Sequence, residues 1–385
     1  MVKRFSILIL FFIQLNLSLF SSVFNICTPT VQEPEVSKKD VLKDFKPDFY
    51  IKDQIPQDLI LLEKMRDLFF EPDPVLANDL VGGGKIKCNP KRNVYTKAIQ
   101  QYGAQEVVLL TDDYFRLSSL YFKRQNAPLN IVYVTGYFND QTPTKEWAAP
   151  FSIIYPNFNI LAFDPRSFGD SEGKKSKLSC DYGTNAYLDI QAAVDFFRKE
   201  NDKPIILVGF CAGAAMALEA TLQAQARGKN IADAIVFNSI FTKFENQLDR
   251  AILAEDRWFY RILLKSGYGA FYLNFTLNGS LFDLNPIEVI GQINIPCYFE
   301  HFTQDPFAIL SEGVEVFKEV RSFKMFLQSD IGRHVRIHSK APYQYRNAFY
   351  GFLEKSGLIS STQLLTLLQK DEENVLHDLK NEKEK

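Results

Sequence analysis

From about residue 104 onward, short apolar runs alternate with polar breaks along the chain. Glu106 to Thr111 and Leu117 to Phe122 lie close enough to form an antiparallel, hairpin-like entry to a sheet. Asn130 to Thr135, Asn159 to Asp164, Pro204 to Gly209, Ala234 to Asn238, Cys297 to His301 and Phe323 to Gln328 are further strand-like runs. Helical patterns occupy Tyr187 to Lys199 and Ala214 to Arg227. Strands alternating with helices predict an α/β domain with a mostly parallel, doubly wound sheet covered on both faces.

The flanks read differently. Lys3 and Arg4 precede an apolar run from Phe5 to Ile13, followed by a stretch broken by Gln14, Asn16 and Ser18. Residues 1–27 therefore read as an export signal or a membrane anchor, which predicts an exported or membrane-tethered protein that meets a membrane through its N-terminus. Residues 28–103 read as a polar linker and a helical extension, the helix carried by Leu59, Ile60, Leu62, Met65, Leu68 and Phe69. Gly82, Gly83, Gly84 and Lys85 look like a loop, because Ile86 follows where a phosphate loop needs Ser or Thr. The main domain spans 104–358. Within it, residues 241–286 are too long for a plain connection and too apolar for a solvated one, which suits a helical lid. Residues 359–385 end in a highly charged stretch from Lys370 to Lys385, expected to be a solvated helix and tail.

Composition narrows the function. A chain of 385 residues, 46% hydrophobic and 23% charged, is long enough for a large buried core and is neither disordered nor polytopic. Lys+Arg 44 against Asp+Glu 46 leaves a net charge of -2, with no basic stripe among exposed aromatics, so no nucleic-acid partner is expected. The five cysteines, Cys27, Cys88, Cys180, Cys211 and Cys297, contain no CxxC pair and lack the close Cys/His spacing of a zinc site. Asn274-Phe-Thr and Asn278-Gly-Ser are glycosylation sequons in form.

The chemistry concentrates in Pro204-Ile-Ile-Leu-Val-Gly-Phe-Cys-Ala-Gly213. An apolar strand runs into Gly209-Phe210-Cys211-Ala212-Gly213 and leaves into a small-residue helix. This is the pattern of a nucleophile elbow, in which two glycines make room for a sharp strand-to-helix turn. A thiol at a helix N-terminus is placed where the helix dipole assists its chemistry.

Here the chain resembles the α/β-hydrolase family, over about residues 104 to 356. Phe163-Asp-Pro-Arg-Ser-Phe-Gly-Asp-Ser-Glu-Gly173 is similar to the family's D-x-R-G-x-G-x-S-x-G segment after its fourth strand. Among subgroups the chain looks most like the lysophospholipase, monoglyceride-lipase and serine-aminopeptidase-like proteins. Cys211 stands where most members have Ser, as cysteine does in dienelactone hydrolases and polyhydroxyalkanoate synthases. Thr135 stands where the family has His, and Ser167 and Ala214 where it has Gly.

The resemblance implies a triad in the order nucleophile, acid, histidine. Of the four histidines, His377 lies in the charged tail and His301 lies upstream of the expected acid. Gly332-Arg-His334 matches the family's G-x-H loop, with His338 as the second choice. Asp305 falls in the acid position after Cys297 to His301, with Glu300 and Asp330 as weaker alternatives. The implied oxyanion donors are the backbone amides of Ala212 and of Tyr137, which follows Thr135-Gly136, while Asp164 and Arg166 are expected to shape their own loop. The reading is an ester or thioester hydrolase working through an acyl-enzyme on a small-molecule acyl substrate, lipids included, with no cofactor or metal implied. The alternatives are an acyltransferase with the same triad and a catalytically silent binding protein of the same fold.

Overall fold

The computed structural model describes residues 42, 45–51, 103–136, 148–173, 185–247, 250, 284–331, 334–335 and 342–371. The chain divides into residues 1–44 and 45–385, and the following concerns the second unit. The expected signal or anchor, the helix over 58 to 70, the glycine run at 82–84, residues 251–283 of the expected lid, and Tyr137, His338 and His377 lie outside the described residues.

Nine strands make one sheet: β1 (Phe49–Ile51), β2 (Ala104–Leu110), β3 (Arg116–Phe122), β4 (Asn130–Val134), β5 (Asn159–Phe163), β6 (Ile205–Phe210), β7 (Ala234–Asn238), β8 (Cys297–Phe302) and β9 (Lys324–Ser329). Their order is β1-β9-β8-β7-β6-β4-β5-β3-β2. All pairings are parallel except those of β3 with β2 and β5, so β3 alone runs against the rest. The hairpin-like entry is thus present as β2 and β3, paired from Ala104 with Phe122 to Leu110 with Arg116. A strand not anticipated by the pattern, β1, adds to the far edge beside β9. It is three residues long, too short for a periodic signal, and it is held by its neighbours: the Phe326 amide donates to Asp48 at 2.8 Å.

Burial explains the strand composition. Strands β4 to β8 are buried at every position, while edge strand β2 exposes Val108 and Leu110. Successive residues face opposite helical layers. Tyr298 of β8 stacks on Phe352 of α6 (Pro342–Lys355) at 5.0 Å, and its neighbour Phe299 meets Phe317 of α5 (Leu310–Glu319) at 5.3 Å. On the α6 side lies α1 (Ala148–Ile154), whose Phe151 and Ile154 join Phe349 and Phe352 in one core. The other layer includes α2 (Ala186–Glu200) and α3 (Ala212–Ala226), which pack together, α3 through small residues such as Ala215, Ala217 and Ala220. A short helix, α4 (Pro286–Val289), precedes β8.

The two ends of the expected lid meet at its root. The Phe244 amide donates to Leu284 O at 3.1 Å, and the Ile287 amide donates to Thr242 O at 3.2 Å. After α6, residues 361–371 are helical, and Leu364, Leu367 and Leu368 pack on the core. Here the expectation of a solvated end needs correction at its start. Asp371 is buried, forms an ion pair with Arg346 at 3.2 Å and accepts bonds from Tyr350 and Asn157, because the apolar stripe of the helix carries it inward. Among the described residues, no helix is long and apolar enough to cross a membrane.

Candidate active site

Strand order reverses at β4, whose neighbours are β6 and β5. The C-terminal ends of strands at such a reversal open a crevice between helices that leave in opposite directions. Cys211 stands there, between the end of β6 and the start of α3.

The elbow is built by close approach. A Cβ on Gly209 would come 2.5 Å from Ala214 Cα, and one on Gly213 would come 2.3 Å from Thr135 O. Only hydrogen fits at either position, so both glycines are demanded by packing. Cys211 itself has φ 53 and ψ -117, and its amide donates to Asn238 O at 2.8 Å at the end of β7. A cysteine held in that left-handed region is strained, and the bonds on both sides hold it. Its thiol is free and partly exposed.

The acid comes from the loop after β8. Asp305 is 4% exposed, and its Oδ1 accepts the amides of Phe307 at 2.9 Å and Ala308 at 3.0 Å. His334 Nδ1 lies 2.9 Å from Asp305 Oδ1 and 2.8 Å from Oδ2. With Nδ1 turned to the acid, the imidazole is also acted on by Cys211. Burial works against a charge on His334, but Asp305 and Cys211 outweigh it and push its pKa up to about 10. Asp305 moves the opposite way: burial raises its pKa, and the facing His334 together with the loop amides brings it below the ordinary carboxylate value. Phe307 lays its ring edge-on to the His334 ring, 5.3 Å between centroids.

The structure therefore brings Cys211, His334 and Asp305 together and separates the alternatives. Asp330 is bonded by Tyr50 and, at 2.6 Å, by Thr303, across the ends of β1 and β8. Glu300 lies inside the α1 and α6 layer, where Asn238 Nδ2 at 2.8 Å and Tyr345 Oη at 2.6 Å both donate to its Oε2. Burial pushes the Glu300 carboxyl up to about 8. His301 faces the other layer, with Nε2 2.7 Å from Ala308 O. Of the two expected oxyanion donors, Ala212 opens α3 directly after Cys211, and Gly136 lies so close to the elbow that a Cβ on it would meet Cys211 Cβ at 3.2 Å. Tyr137, next in sequence, lies outside the described residues.

The Phe163 to Gly173 segment shapes its own loop, as expected. Arg166 is clamped by Asp113 at 2.7 Å and Asp189 at 2.7 Å, and Asp164 accepts the Asp170 amide. Ser167 has φ 68, which accounts physically for a glycine at that place in related sequences. Among the described residues, no group of three His, Cys, Asp or Glu side chains is arranged to hold a metal ion.

Against protein-family profiles and curated proteins the sequence finds no match. Solved structures are similar in three dimensions. An esterase of Pyrococcus furiosus, Pf2001, superposes with a TM-score of 0.53 at 18% identity, covering 68% of this chain and 93% of that one. DcsB, solved in complex with its substrate analogue, superposes with a TM-score of 0.50 at 18% identity, covering 66% of this chain and 99% of that one. The chain has the α/β-hydrolase fold.

The motif could not reveal the contacts that hold the acid loop, namely His301 Nε2 at Ala308 O and Arg250 Nε donating to Phe307 O at 2.5 Å. No sequence signal marks them, because Arg250 and Phe307 lie 57 residues apart and the return of Ala308 to His301 depends on how the loop after β8 folds.

Proposed function

We propose that this chain is a carboxylic ester or thioester hydrolase in which Cys211 is the nucleophile, His334 the proton carrier and Asp305 the residue that orients it. The observation that carries this reading is His334, bonded through Nδ1 to a buried carboxylate and acted on by Cys211 at a strained elbow. The esterase among the similar structures agrees with ester chemistry on this fold.

The geometry supports the following roles. The Cys211 proton rests on His334, whose pKa is raised, and the Cys211 sulfur attacks the substrate carbonyl carbon, whose oxygen becomes an oxyanion held by the amide of Ala212, with Tyr137 the expected second donor. Asp305 stabilises the imidazolium and fixes its tautomer. The raised pKa of His334 keeps that proton on the ring until the leaving oxygen or sulfur takes it as the bond to the carbonyl breaks. The resulting thioester on Cys211 is attacked by water, whose proton goes to His334. Collapse releases the acid and restores Cys211 with its proton on His334. The apolar residues between 241 and 286 suit an acyl or aromatic group, and the N-terminal apolar run would place the enzyme in an export pathway or at a membrane.

The test is trapping. The protein is mixed with p-nitrophenyl acetate, p-nitrophenyl laurate or an acyl thioester, quenched in acid, and digested for peptide mass spectrometry. An acyl group on Cys211 that is lost in His334→Ala, with turnover lost in Cys211→Ala, supports the reading. Turnover that persists in Cys211→Ala overturns the mechanism. Neither adduct nor turnover with any of the three favours the silent binding protein. Acyl transfer to added alcohol in preference to water favours the acyltransferase.

A further inference from the structure

The passage after β7 reaches back to the acid loop through one arginine. Residues 244–247 and 250 are helical, and Asn246, Gln247 and Arg250 converge on the carboxylate of Glu312 in the first turn of α5. Arg250 Nη1 donates to Glu312 Oε1 at 2.8 Å and Nη2 donates to Oε2 at 2.7 Å, a two-pronged pair on a buried acid. Its Nε reaches Phe307 O at 2.5 Å.

That carbonyl belongs to the same planar peptide unit as the Ala308 amide, which donates to Asp305 Oδ1 at 3.0 Å. Holding the oxygen of the unit fixes the direction of its N–H. The next carbonyl, Ala308 O, is engaged by His301 Nε2 at 2.7 Å from the β8 side. Two consecutive carbonyls of the acid loop are thus gripped from different elements, so that the one amide between them, Ala308 N–H, points at the acid.

From these contacts we propose that Arg250 is a positioning residue: with Glu312 as its anchor, it sets the Phe307–Ala308 peptide so that Asp305 is held in the orientation that receives His334. The proposal rests on the Cys211, His334, Asp305 reading of the site. A planar guanidinium satisfies both bonds to Glu312 and the third to the carbonyl at once, which a lysine ammonium cannot do at these positions.

The test compares Arg250→Met, Arg250→Lys and the double variant Arg250→Met/Glu312→Gln, the last leaving no buried acid without its partner. Two readouts are taken: the low-field proton resonance of the His334 to Asp305 hydrogen bond, assigned by its loss in His334→Ala, and kcat and KM for p-nitrophenyl acetate. The expected result is a resonance lost or broadened in the double variant and unrestored by lysine. With it, kcat falls about tenfold to a hundredfold while KM stays within about threefold, and the cooperative thermal transition is kept. A double variant with the wild-type resonance and kcat overturns the proposal. So does one that no longer folds, since Arg250 then serves the fold and not the site, and so does a wild type without the resonance. If the wild type shows the resonance but no Cys211-dependent turnover, the functional reading falls while the resonance still decides the role of Arg250.

Discussion

Strand β8 and the loop after it carry two buried acids a few residues apart, and they are tuned in opposite directions. Glu300 and Asp305 are both buried carboxyls. Asp305 faces a histidine and two amides, and lies below the usual carboxylate range. Glu300 receives only neutral donors, the Asn238 amide and the Tyr345 hydroxyl, and burial pushes it up to about 8. The histidines divide in the same way. Burial lowers the pKa of His301, whose Nε2 meets a backbone carbonyl, while Asp305 and Cys211 override the same burial at His334 and raise it to about 10. Burial is common to all four groups. The charge placed opposite each one decides whether the fold keeps it ionised.

The sharpest way to break this contrast is Asp305→Asn. It keeps the size of the side chain but removes the charge facing His334, and kcat/KM for p-nitrophenyl acetate should fall about a thousandfold or more with little change in the thermal midpoint. Glu300→Gln should do the reverse. The native carboxyl ionises near 4.5 when unfolded and near 8 when folded, so its contribution is intact below pH 4.5 and is lost as pH rises through 8. Glutamine removes that loss, and urea unfolding at pH 8.5 should find the variant more stable by up to about 5 kcal/mol, with kcat/KM within about threefold.

His334 supplies the next effect. Its folded pKa is raised, so the stability it lends is complete below the unfolded value near 6.5 and disappears as pH climbs through about 10. Between pH 8 and 10, beyond the Glu300 window, the wild type should lose about 2 kcal/mol that His334→Gln does not lose. The smallest effect belongs to His301. Its ring protons, followed by NMR, should not shift between pH 7 and 9, with any titration displaced below the ordinary histidine value. A His301 that titrates alongside His334 would erase the contrast.

Much of this site was legible before any coordinates. The apolar run ending in Gly209 and the small residues beyond Gly213 marked a strand, a tight turn and a helix, because each is a local pattern with its own period. The Phe163 to Gly173 loop could be placed for the same reason. Strand β1 escaped notice, since three residues have no period and its pairing with β9 joins residues far apart in sequence. Asp371 looked like part of a solvated tail because its neighbours are charged. The stripe of Leu364, Leu367 and Leu368 that draws it inward acts only once a core exists to receive it.

What the sequence determined by itself is the succession of elements and the identity of the candidate nucleophile, because strand periodicity, helix composition and glycine placement act over a few residues. Tertiary structure alone placed the expected acid, Asp305, against His334 and turned the two weaker alternatives away. Glu300, Asp305 and Asp330 were all within plausible reach along the chain, but the pleat of β8 sends Glu300 into one helical layer, the edge of the sheet ties Asp330 to Tyr50 and Thr303, and only Asp305 is turned by its loop amides toward the imidazole. Electrostatic tuning depends on distances across the fold, and those exist only after the sheet has assembled.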